Sequence, residues 1–442
     1  MSFTYSIKTM GCKANTYDSL ILEQELLSIG GKKVKQEQKP DVFILNSCTV
    51  TDEADKQSLK EVINVKKKSE TTWTVVTGCY AQVAETELQK HTQIDSVFTN
   101  EQKSSLKREL AKKFSLTPDL FDEESLNESV DEVFWGQLPA FTGRTRAFLK
   151  IQEGCNDYCT YCIIPFARGK SRSVSLKKII EEINRLVVLG VKEVILTGTN
   201  IADYGKDIGL EFEDLVEQIL KQTQLPRLRL SSLDPSEITD RLLDLFEKGG
   251  RLMPHFHVSL QSPVSRVLRA MKRDYRTEDV VRVLNNIHRR NEEIFVGMDI
   301  IAGFPSETNK EHEEAVSILK DLPWSRLHVF PYSERAGTAA LKIKGSVPFS
   351  VRKTRSKELL AMSLSRLEAS VRKHEGRVIE KVLFETQDEN WITGYSENYI
   401  RVLAQAPDEK TAKLRLNTIG SCIALQALPK PSQDFTLQAK LI

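Results

Sequence analysis

The residues best placed to do chemistry are cysteines. Cys155, Cys159 and Cys162 form a C-x3-C-x2-C loop directly after an apolar, strand-like run. Three thiolates in one loop can converge on a single soft metal centre. A structural zinc site would ordinarily recruit a fourth Cys or His, and histidines such as His255 and His257 are remote in sequence. A 4Fe-4S cluster on three cysteines keeps one iron open for a substrate or cofactor.

The other cysteines fall into place once strands are assigned. Cys12 ends KTMGC, Cys48 ends ILNSC and Cys79 ends VVTGC, each at the close of a strand-like run. In an open parallel α/β sheet the carboxyl ends of the strands share one edge, and ligands bind there. Three residues far apart in the chain therefore converge into a second three-thiolate set. Any one of them alone would read as a small buried apolar residue; three at equivalent strand ends read as metal ligands. Gly11 and Gly78 precede two of them, consistent with tight turns. Cys422 falls in a strand-like run near the C-terminus and reads as structural.

The elements that must position these thiols alternate in type. Residues 4–9, 41–46, 73–77 and 95–99 read as strands, with an amphipathic helix over 15–29 and a polar helix running to Lys66-Lys67-Lys68. Short apolar strands spaced by helices indicate βαβ units, so 1–118 is expected to be an open parallel α/β domain. Residues 119–132 carry seven acidic side chains and no basic one, and 119–143 reads as an acidic linker. Over 144–373, strands are expected at 146–151, 192–197, 227–231, 256–260, 295–301 and 326–330, a pattern that curls into a partial or complete barrel. Residues 342–373 hold nine Lys/Arg against two Glu, with Leu360, Leu364, Leu367 and Val371 at helical spacing. This predicts a helix with one packed and one basic exposed face. From 374 to 442 the runs RVIEKVLFET, WITGY, YIRVLAQ, KLRLN and CIALQAL predict a small β-barrel.

The totals exclude several classes. A chain of 442 residues should hold two or three domains. Lys and Arg number 63 against 61 Asp and Glu, so any nucleic-acid surface is local. No apolar run approaches the ~20 residues that span a bilayer, and Met1–Met10 lacks a signal-peptide pattern. A cytoplasmic location without membrane association follows, where cysteines stay reduced.

Read in order, TMGCKANTYDS, LNSCTVTDEADKQS, TGCYAQ, RAFLKIQEGCNDYCTYCIIPFARGKSRS, HVSLQS, DIIAGFPSE and HVFPYSERAGT resemble the motifs of the radical S-adenosylmethionine (radical SAM) methylthiotransferases. The resemblance covers nearly the whole chain. It implies an N-terminal domain with an auxiliary cluster, a radical SAM partial (β/α)6 barrel and a C-terminal TRAM β-barrel. Within the family, CTVT-x2-AD and TGCYAQ are most similar to the MtaB type, which acts on threonylcarbamoyl-adenosine next to the tRNA anticodon. The MiaB type acts on isopentenyl-adenosine, and the RimO type on an aspartate of a ribosomal protein.

The resemblance also implies a division of labour. An adenine C–H is neither acidic nor electrophilic, so a radical cofactor must do the hard step while the protein binds and orients. The Cys155/Cys159/Cys162 4Fe-4S cluster would chelate S-adenosylmethionine, and one electron from an unidentified donor would release a 5′-deoxyadenosyl radical. The Cys12/Cys48/Cys79 4Fe-4S cluster would present the sulfur for insertion at adenine C2. Gly198, Thr199 and Asn200 of LTGTN, the strand-end residues Ser231, Ser232, Gln261 and Ser262, and Gly303 are the candidate cofactor contacts, although strand ends also carry Gly and Ser for turns. Arg168 and Arg172 follow the cluster loop and suit bidentate carboxylate binding, of cofactor or of substrate. Tyr332 lies after the last barrel strand, where substrate contact and plain packing are both open. His255 and His257 read as core residues. Binding of tRNA needs cations on phosphates, for which Arg352, Arg355, Arg372 and Lys373 of the basic helix are the candidates, with Asn398, Tyr399 and Arg401 of the terminal barrel placed to bond or stack on RNA. A non-catalytic iron–sulfur RNA-binding protein and a zinc-stabilised adaptor are the rival classes.

Overall fold

The computed structural model describes residues 2–115, 133–139, 145–430 and 434–442. The acidic run 119–132 and residues 140–143 lie outside the described residues.

In the first unit β1 (Phe3–Thr9), α1 (Lys13–Ser28), β2 (Gly31–Lys33), β3 (Val42–Ser47), α2 (Asp52–Lys68), β4 (Trp73–Gly78), α3 (Cys79–Val83), α4 (Glu85–Leu88), β5 (Ser96–Phe98) and α5 (Leu106–Lys113) follow one another. All strand pairs are parallel, in the order β2-β1-β3-β4-β5. β3 is buried along its whole length, which is why VFILNS reads as a continuous run rather than an alternation. α2 begins with Asp52, Glu53 and Asp55, ends with Lys66, Lys67 and Lys68, and is capped by the Thr51 hydroxyl, matching its dipole at both ends. The strand order reverses between β1 and β3, which makes that edge a topological switch point.

The second unit contains β6 (Arg146–Lys150), β7 (Gln152–Glu153), α6 (Ile164–Arg168), β8 (Arg172–Ser173), α7 (Leu176–Val188), β9 (Glu193–Thr197), α8 (Phe212–Gln222), β10 (Arg227–Leu230), β11 (Ser232–Leu233), α9 (Asp240–Gly249), β12 (His255–Gln261), α10 (Ser265–Ala270), α11 (Thr277–Arg290), β13 (Phe295–Ala302), α12 (Asn309–Asp321), β14 (Arg326–Pro331) and α13 (Phe349–Arg372). Two parallel ladders, β6-β9-β10 and β11-β12-β13-β14, meet at Ser231. Among the described residues β6 and β14 do not pair, so the barrel stays open on one side, and α1 packs on β6 at that opening. Leu149, Leu196, Leu228, Val258, Met298 and Leu327 lie in the core under the helices. By strand alternation the residues between them face the lumen. Val133, Phe134 and Leu138, read as linker, are buried in the same core, and the Tyr17 hydroxyl donates to Gly136 O at 2.9 Å.

In the third unit β15 (Val378–Asp388), β16 (Trp391–Tyr395), β17 (Arg401–Gln405), β18 (Ile419–Lys430) and β19 (Asp434–Leu441) close a barrel in the order β15-β16-β17-β19-β18, with Cys422 buried in its core. KLRLN is not a strand. Residues up to Arg415 belong to α14 (Glu409–Arg415), whose first turn is capped by Asp408 accepting from Thr411 N–H at 2.7 Å. β19, which the sequence reading did not assign, supplies the missing strand.

α13 corrects the picture of a helix with its arginines outward. Arg352 and Arg355 lie on its buried stripe with Leu359, Leu367 and Val371. Arg352 bonds Glu334 at 2.8 Å, and Arg355 bonds Glu307 at 2.8 Å. They fix the helix to the loops after β14 and β13 and are withdrawn from any phosphate. Positions 352, 355, 359 and 367 share one face at 3.6 residues per turn, so charge content alone misplaced them. Arg372 is half-exposed but engaged with Glu368 at 2.7 Å. No described helix is long and apolar enough to cross a membrane.

Candidate active site

The first thiol set sits on the carboxyl edge of the N-terminal sheet. Gly11 has φ +90°, and a Cβ there would fall 2.7 Å from Cys48 Sγ, so the Cys12 turn lies directly against Cys48. Gly78 has φ +93°, and a Cβ would fall 2.5 Å from Ser47 O. Both glycines are dictated by close approach as well as by backbone conformation. Asn15 fastens the turns: its Nδ2 donates to Met10 O at 2.7 Å and to Ser47 O at 2.9 Å. Burial pushes the Cys48 thiol up to about 11, and its neighbours Cys79 and Cys12 add to the rise.

The second set is held by the loop between β7 and α6. Gly154, φ +82°, has Lys170 O 1.9 Å from where a Cβ would stand, which admits no side chain. Cys155 N–H donates to Gly169 O at 3.1 Å, and Cys162 N–H to Cys159 O at 3.0 Å. Burial pushes the Cys162 thiol up to about 11 and raises those of Cys155 and Cys159. Thiols that are protonated without metal must release protons on loading. Around Cys155 the wall is acidic: its sulfur and one oxygen each of Asp157 and Asp203 lie within 4.8 Å of one another. Burial raises the Asp234 carboxyl to about 8.

The two sets are joined. α3, which opens with Cys79, packs against α6, which follows Cys162. Arg168 closes α6 at 4% exposure. Its Nε donates to Cys79 Sγ at 3.3 Å and its Nη2 to Asp18 at 3.1 Å, with further bonds to Asn15 and Glu153. Lys150 reaches Asp18 at 2.7 Å and Glu153 at 2.9 Å, and Lys103 reaches Asp18 at 2.9 Å. Burial alone would raise the Asp18 carboxyl, but Lys103, Lys150 and Arg168 hold it well below the usual range. Three buried cations thus face two carboxylates, and the surplus positive charge lies at Cys79. On the other side Arg273 donates to Cys159 Sγ at 3.2 Å. Each set therefore has three thiols and one guanidinium aimed at a sulfur, a donor set that fits a thiolate-ligated iron–sulfur cluster, whose sulfurs accept such bonds.

The sequence candidates divide. Thr199 N–H and Asn200 N–H both donate to Gln152 Oε1 at 3.0 Å, and Thr199 Oγ1 accepts from Gly154 N–H at 3.2 Å, which ties LTGTN to the Cys155 loop. A Cβ on Gly198 would meet Gln152 O at 2.9 Å. Ser231 and Ser232 stand where the two ladders meet, and Gln261, φ +63°, ends β12. The Ser262 hydroxyl accepts from Val264 N–H at 3.2 Å. Arg172 lies opposite Glu153, with its Nη2 on Arg168 O at 3.3 Å. Four readings are corrected, and Tyr332 takes the packing role of the two left open. Arg168 finds its carboxylates inside the protein. Gly303 makes room for Arg352, whose Cγ lies 2.5 Å from the Cβ position. Tyr332 is packed with Phe304 and Val267 in a satellite core. Asn398 bonds Ser396 at 2.6 Å. Tyr399 stacks on Tyr395 with centroids 4.9 Å apart and under Arg229 at 4.5 Å, closing the amino-terminal end of the lumen instead of offering its ring to RNA. Arg401 lies on β17 opposite Tyr395, half-buried.

Several residues were missed: Asn15, Asp18, Lys150, Glu153, Arg273 and Arg335. Arg335 is buried and bonds Asp55 and Thr49, fastening the loop after β14 beside Cys48. Charged residues inside apolar runs, such as Lys150 in RAFLK, were the available signal.

Residues 149–319 match the profile of the Radical SAM superfamily, and 4–99 that of Uncharacterized protein family UPF0004. The chain is 36% identical over 403 residues to the threonylcarbamoyladenosine tRNA methylthiotransferase MtaB of Aquifex aeolicus, covering 90% of this chain and 95% of that protein. It is 33% identical to the Bacillus subtilis protein of the same name, covering 93% and 92%. It is 32% identical to a tRNA-2-methylthio-N(6)-dimethylallyladenosine synthase of Staphylococcus epidermidis, covering 93% and 81%. Among solved structures the fold is shared with the radical S-adenosylmethionine methyltransferase TsrM of Kitasatospora setae, with TM-score 0.54 and 15% identity, covering 74% of this chain and 75% of that one. The matched length and the paired thiol sets together place the chain in the radical SAM tRNA methylthiotransferase family, enzymes that depend on S-adenosylmethionine and iron–sulfur clusters.

Proposed function

We propose that this protein transfers a methylthio group to C2 of threonylcarbamoyl-adenosine beside the anticodon of tRNA. The supporting observation is that relatives at 33–36% identity are named threonylcarbamoyladenosine tRNA methylthiotransferases.

In this reading Cys155, Cys159 and Cys162 hold one 4Fe-4S cluster and Cys12, Cys48 and Cys79 the other. When bound, the clusters and S-adenosylmethionine supply one-electron chemistry and the transferable sulfur and methyl groups. The residues of the chain do the rest. Arg273 and Arg168 donate to Cys159 and Cys79 and stabilise their negative charge. Asp157, Asp203 and Glu237 form an anionic wall that suits the cationic end of S-adenosylmethionine, with Asn200 Nδ2 on Glu237 at 3.1 Å. Gly198, Ser231, Ser232 and Gln261 line the carboxyl ends of the strands, where barrel enzymes bind their ligands. The N-terminal unit shuts the side opening and the terminal barrel, TRAM-like in this reading, shuts the floor, so the reacting carbon is shielded from water. In this reading the enzyme works in the cytoplasm, with one electron supplied by a donor outside the chain.

Nucleoside mass spectrometry of tRNA from a deletion strain tests this. The methylthio form of threonylcarbamoyl-adenosine should vanish. An unchanged level, with loss of the isopentenyl analogue, would transfer the assignment to the dimethylallyl activity of the staphylococcal relative.

A further inference from the structure

The inward face of the partial barrel carries polar side chains whose bonding is incomplete. His257 of β12, Asp299 of β13 and His328 of β14 alternate with Val258, Met298 and Leu327 of the core and so face the lumen. Asp299 stands directly opposite His328, and His257 opposite Gly297. His257 Nε2 and Asp299 Oδ1 meet at 2.8 Å, and the His328 ring lies 5.1 Å from that of His257. The second Asp299 oxygen, His257 Nδ1 and both ring nitrogens of His328 make no hydrogen bond with a described residue. All three side chains are only partly buried, so these atoms are met by water or by a ligand. Space beside them is kept by Gly297. Its backbone is not in the left-handed region, and a Cβ there would stand 3.6 Å from His328 Nε2. Nearer the floor, His255 Nδ1 and Arg229 Nη1 are buried with no hydrogen-bond partner.

Depth decides which part of a substrate meets them. The candidate cofactor contacts Gly198, Ser231, Ser232 and Gln261 stand at the carboxyl ends of the strands, so the reacting C2 belongs there. His257 lies four residues before the end of β12, and Asp299 and His328 three residues before the ends of β13 and β14. At ~3.3 Å per residue that is about 10–13 Å deeper. An adenosine enters with its ribose outward, because N9 ties it to the RNA, and a base drawn out of its stack is read on the Watson–Crick edge. C2, N1 and N6 share that edge. With C2 at the strand ends, a substituent on N6 points down the lumen. A threonylcarbamoyl arm, one amino acid on a carbamoyl, spans roughly 7 Å, and with the width of the ring it reaches Asp299 and His328.

We infer that His328, together with Asp299, receives the polar N6 substituent of the substrate adenosine in the lumen and selects it over an apolar one. This rests on the threonylcarbamoyl reading above. A neutral imidazole offers one donor and one acceptor, and the second Asp299 oxygen one more acceptor. The arm answers with a carbonyl, N–H groups and a hydroxyl: its hydroxyl or N–H donates to Asp299, and the His328 N–H donates to one of its oxygens. Its carboxylate is repelled by Asp299 and has Arg229 Nη1 as a donor nearer the floor. An apolar isopentenyl arm in the same place strips water from His328 and Asp299 and returns no hydrogen bond. Gly297 leaves the width that a branched arm needs beside the His328 ring.

The test is the affinity of the reconstituted full-length protein for anticodon stem-loop RNA carrying threonylcarbamoyl-adenosine, isopentenyl-adenosine or plain adenosine. Wild type should prefer the threonylcarbamoyl RNA to the isopentenyl RNA by about 10- to 100-fold, the size of one hydrogen bond to a charged group. His328→Phe keeps a ring and removes its nitrogens, and should cut that ratio by at least about tenfold. His328→Gln keeps a donor and an acceptor and should retain most of it. A ratio in His328→Phe within a factor of about two of wild type overturns the inference. So does an equal loss on all three RNAs, because His328 would then only shape the lumen. Should His328→Phe fail to fold, Gly297→Ala reads the same space with a methyl in ordinary contact: it should weaken the threonylcarbamoyl RNA more than plain RNA, and an equal effect on both overturns the inference. If wild type methylthiolates isopentenyl-adenosine RNA and not the threonylcarbamoyl form, the proposed function itself falls, a result read from the products independently of any variant.

Discussion

Arg168→Met removes the residue that closes α6, the helix after the second thiol set, and whose side chain reaches Cys79 of the first. In the wild type it bonds Asp18, Glu153, Asn15 and Cys79 Sγ, with side-chain exposure of 2%. Removing one partner of a buried ion pair costs about 3–5 kcal/mol. Lys103 and Lys150 remain on the two carboxylates, so the lower end, about 3 kcal/mol, is the appropriate figure. Unfolding of a chain with several units need not be two-state, so the reading should be local. Hydrogen exchange of the metal-free chain over β1, α1 and α6 should quicken by about a hundredfold, which is what such a loss means for an opening equilibrium. Iron after reconstitution should fall from about eight to about four atoms per chain, because the set that includes Cys79 is no longer anchored to the barrel. Arg168→Lys keeps the charge but cannot span the four partners that one planar guanidinium reaches, so it should fall between. Exchange within a factor of about five of wild type, together with full iron, would show that Arg168 does not anchor the N-terminal unit.

Arg335→Ala strips a buried carboxylate of its cation, and Asp55, already raised by burial, should be protonated more readily; exchange over residues 49–58 should quicken by the equivalent of about 3 kcal/mol, and unchanged protection there would count against the pair. Gly154→Ala places a Cβ 1.9 Å from Lys170 O, so the Cys155 loop must move and iron should drop by about four atoms per chain. Tyr399→Ala should loosen the floor of the lumen by about 3–5 kcal/mol in denaturation, yet leave the salt dependence of RNA affinity as it was, since no phosphate contact is lost; a shallower salt slope would restore Tyr399 as an RNA contact. Burial and His257 pull His328 down to about 4. The native state then binds fewer protons than the unfolded one between pH ~6.5 and that value, so stability is lost as pH falls through this window. His328→Gln should flatten the loss in denaturation of the metal-free chain, and because His255 is lowered in the same direction, part of the slope should survive.

Much of this architecture is legible in the chain. The six barrel strands stand out because each is short and carries apolar residues at alternate positions, and the convergence of Cys12, Cys48 and Cys79 follows from strand polarity alone. What escapes is pairing between distant segments. Nothing near Arg168 announces Asp18, and nothing near Tyr399 announces Arg229. Arg352 and Arg355 mislead for a related reason: their balancing carboxylates, Glu334 and Glu307, belong to other loops, so local counting makes an internal clamp look like an exposed basic face. KLRLN alternates like a strand, yet its first three residues end α14, and the sign of that helix is the Asp408 cap, which lies before the run.

The floor of the lumen belongs to a different unit from its walls. Tyr399 and Tyr395 close it, Glu385 secures Arg146, and Arg227 donates to the carbonyls of Lys381, Tyr395 and Ser396 at 3.0–3.2 Å. The terminal barrel is therefore not an interchangeable handle. A chimera given the corresponding barrel of a relative would acquire a pocket of different depth, and a change of substrate range could arise by exchanging that appendix while every cysteine stays where it is.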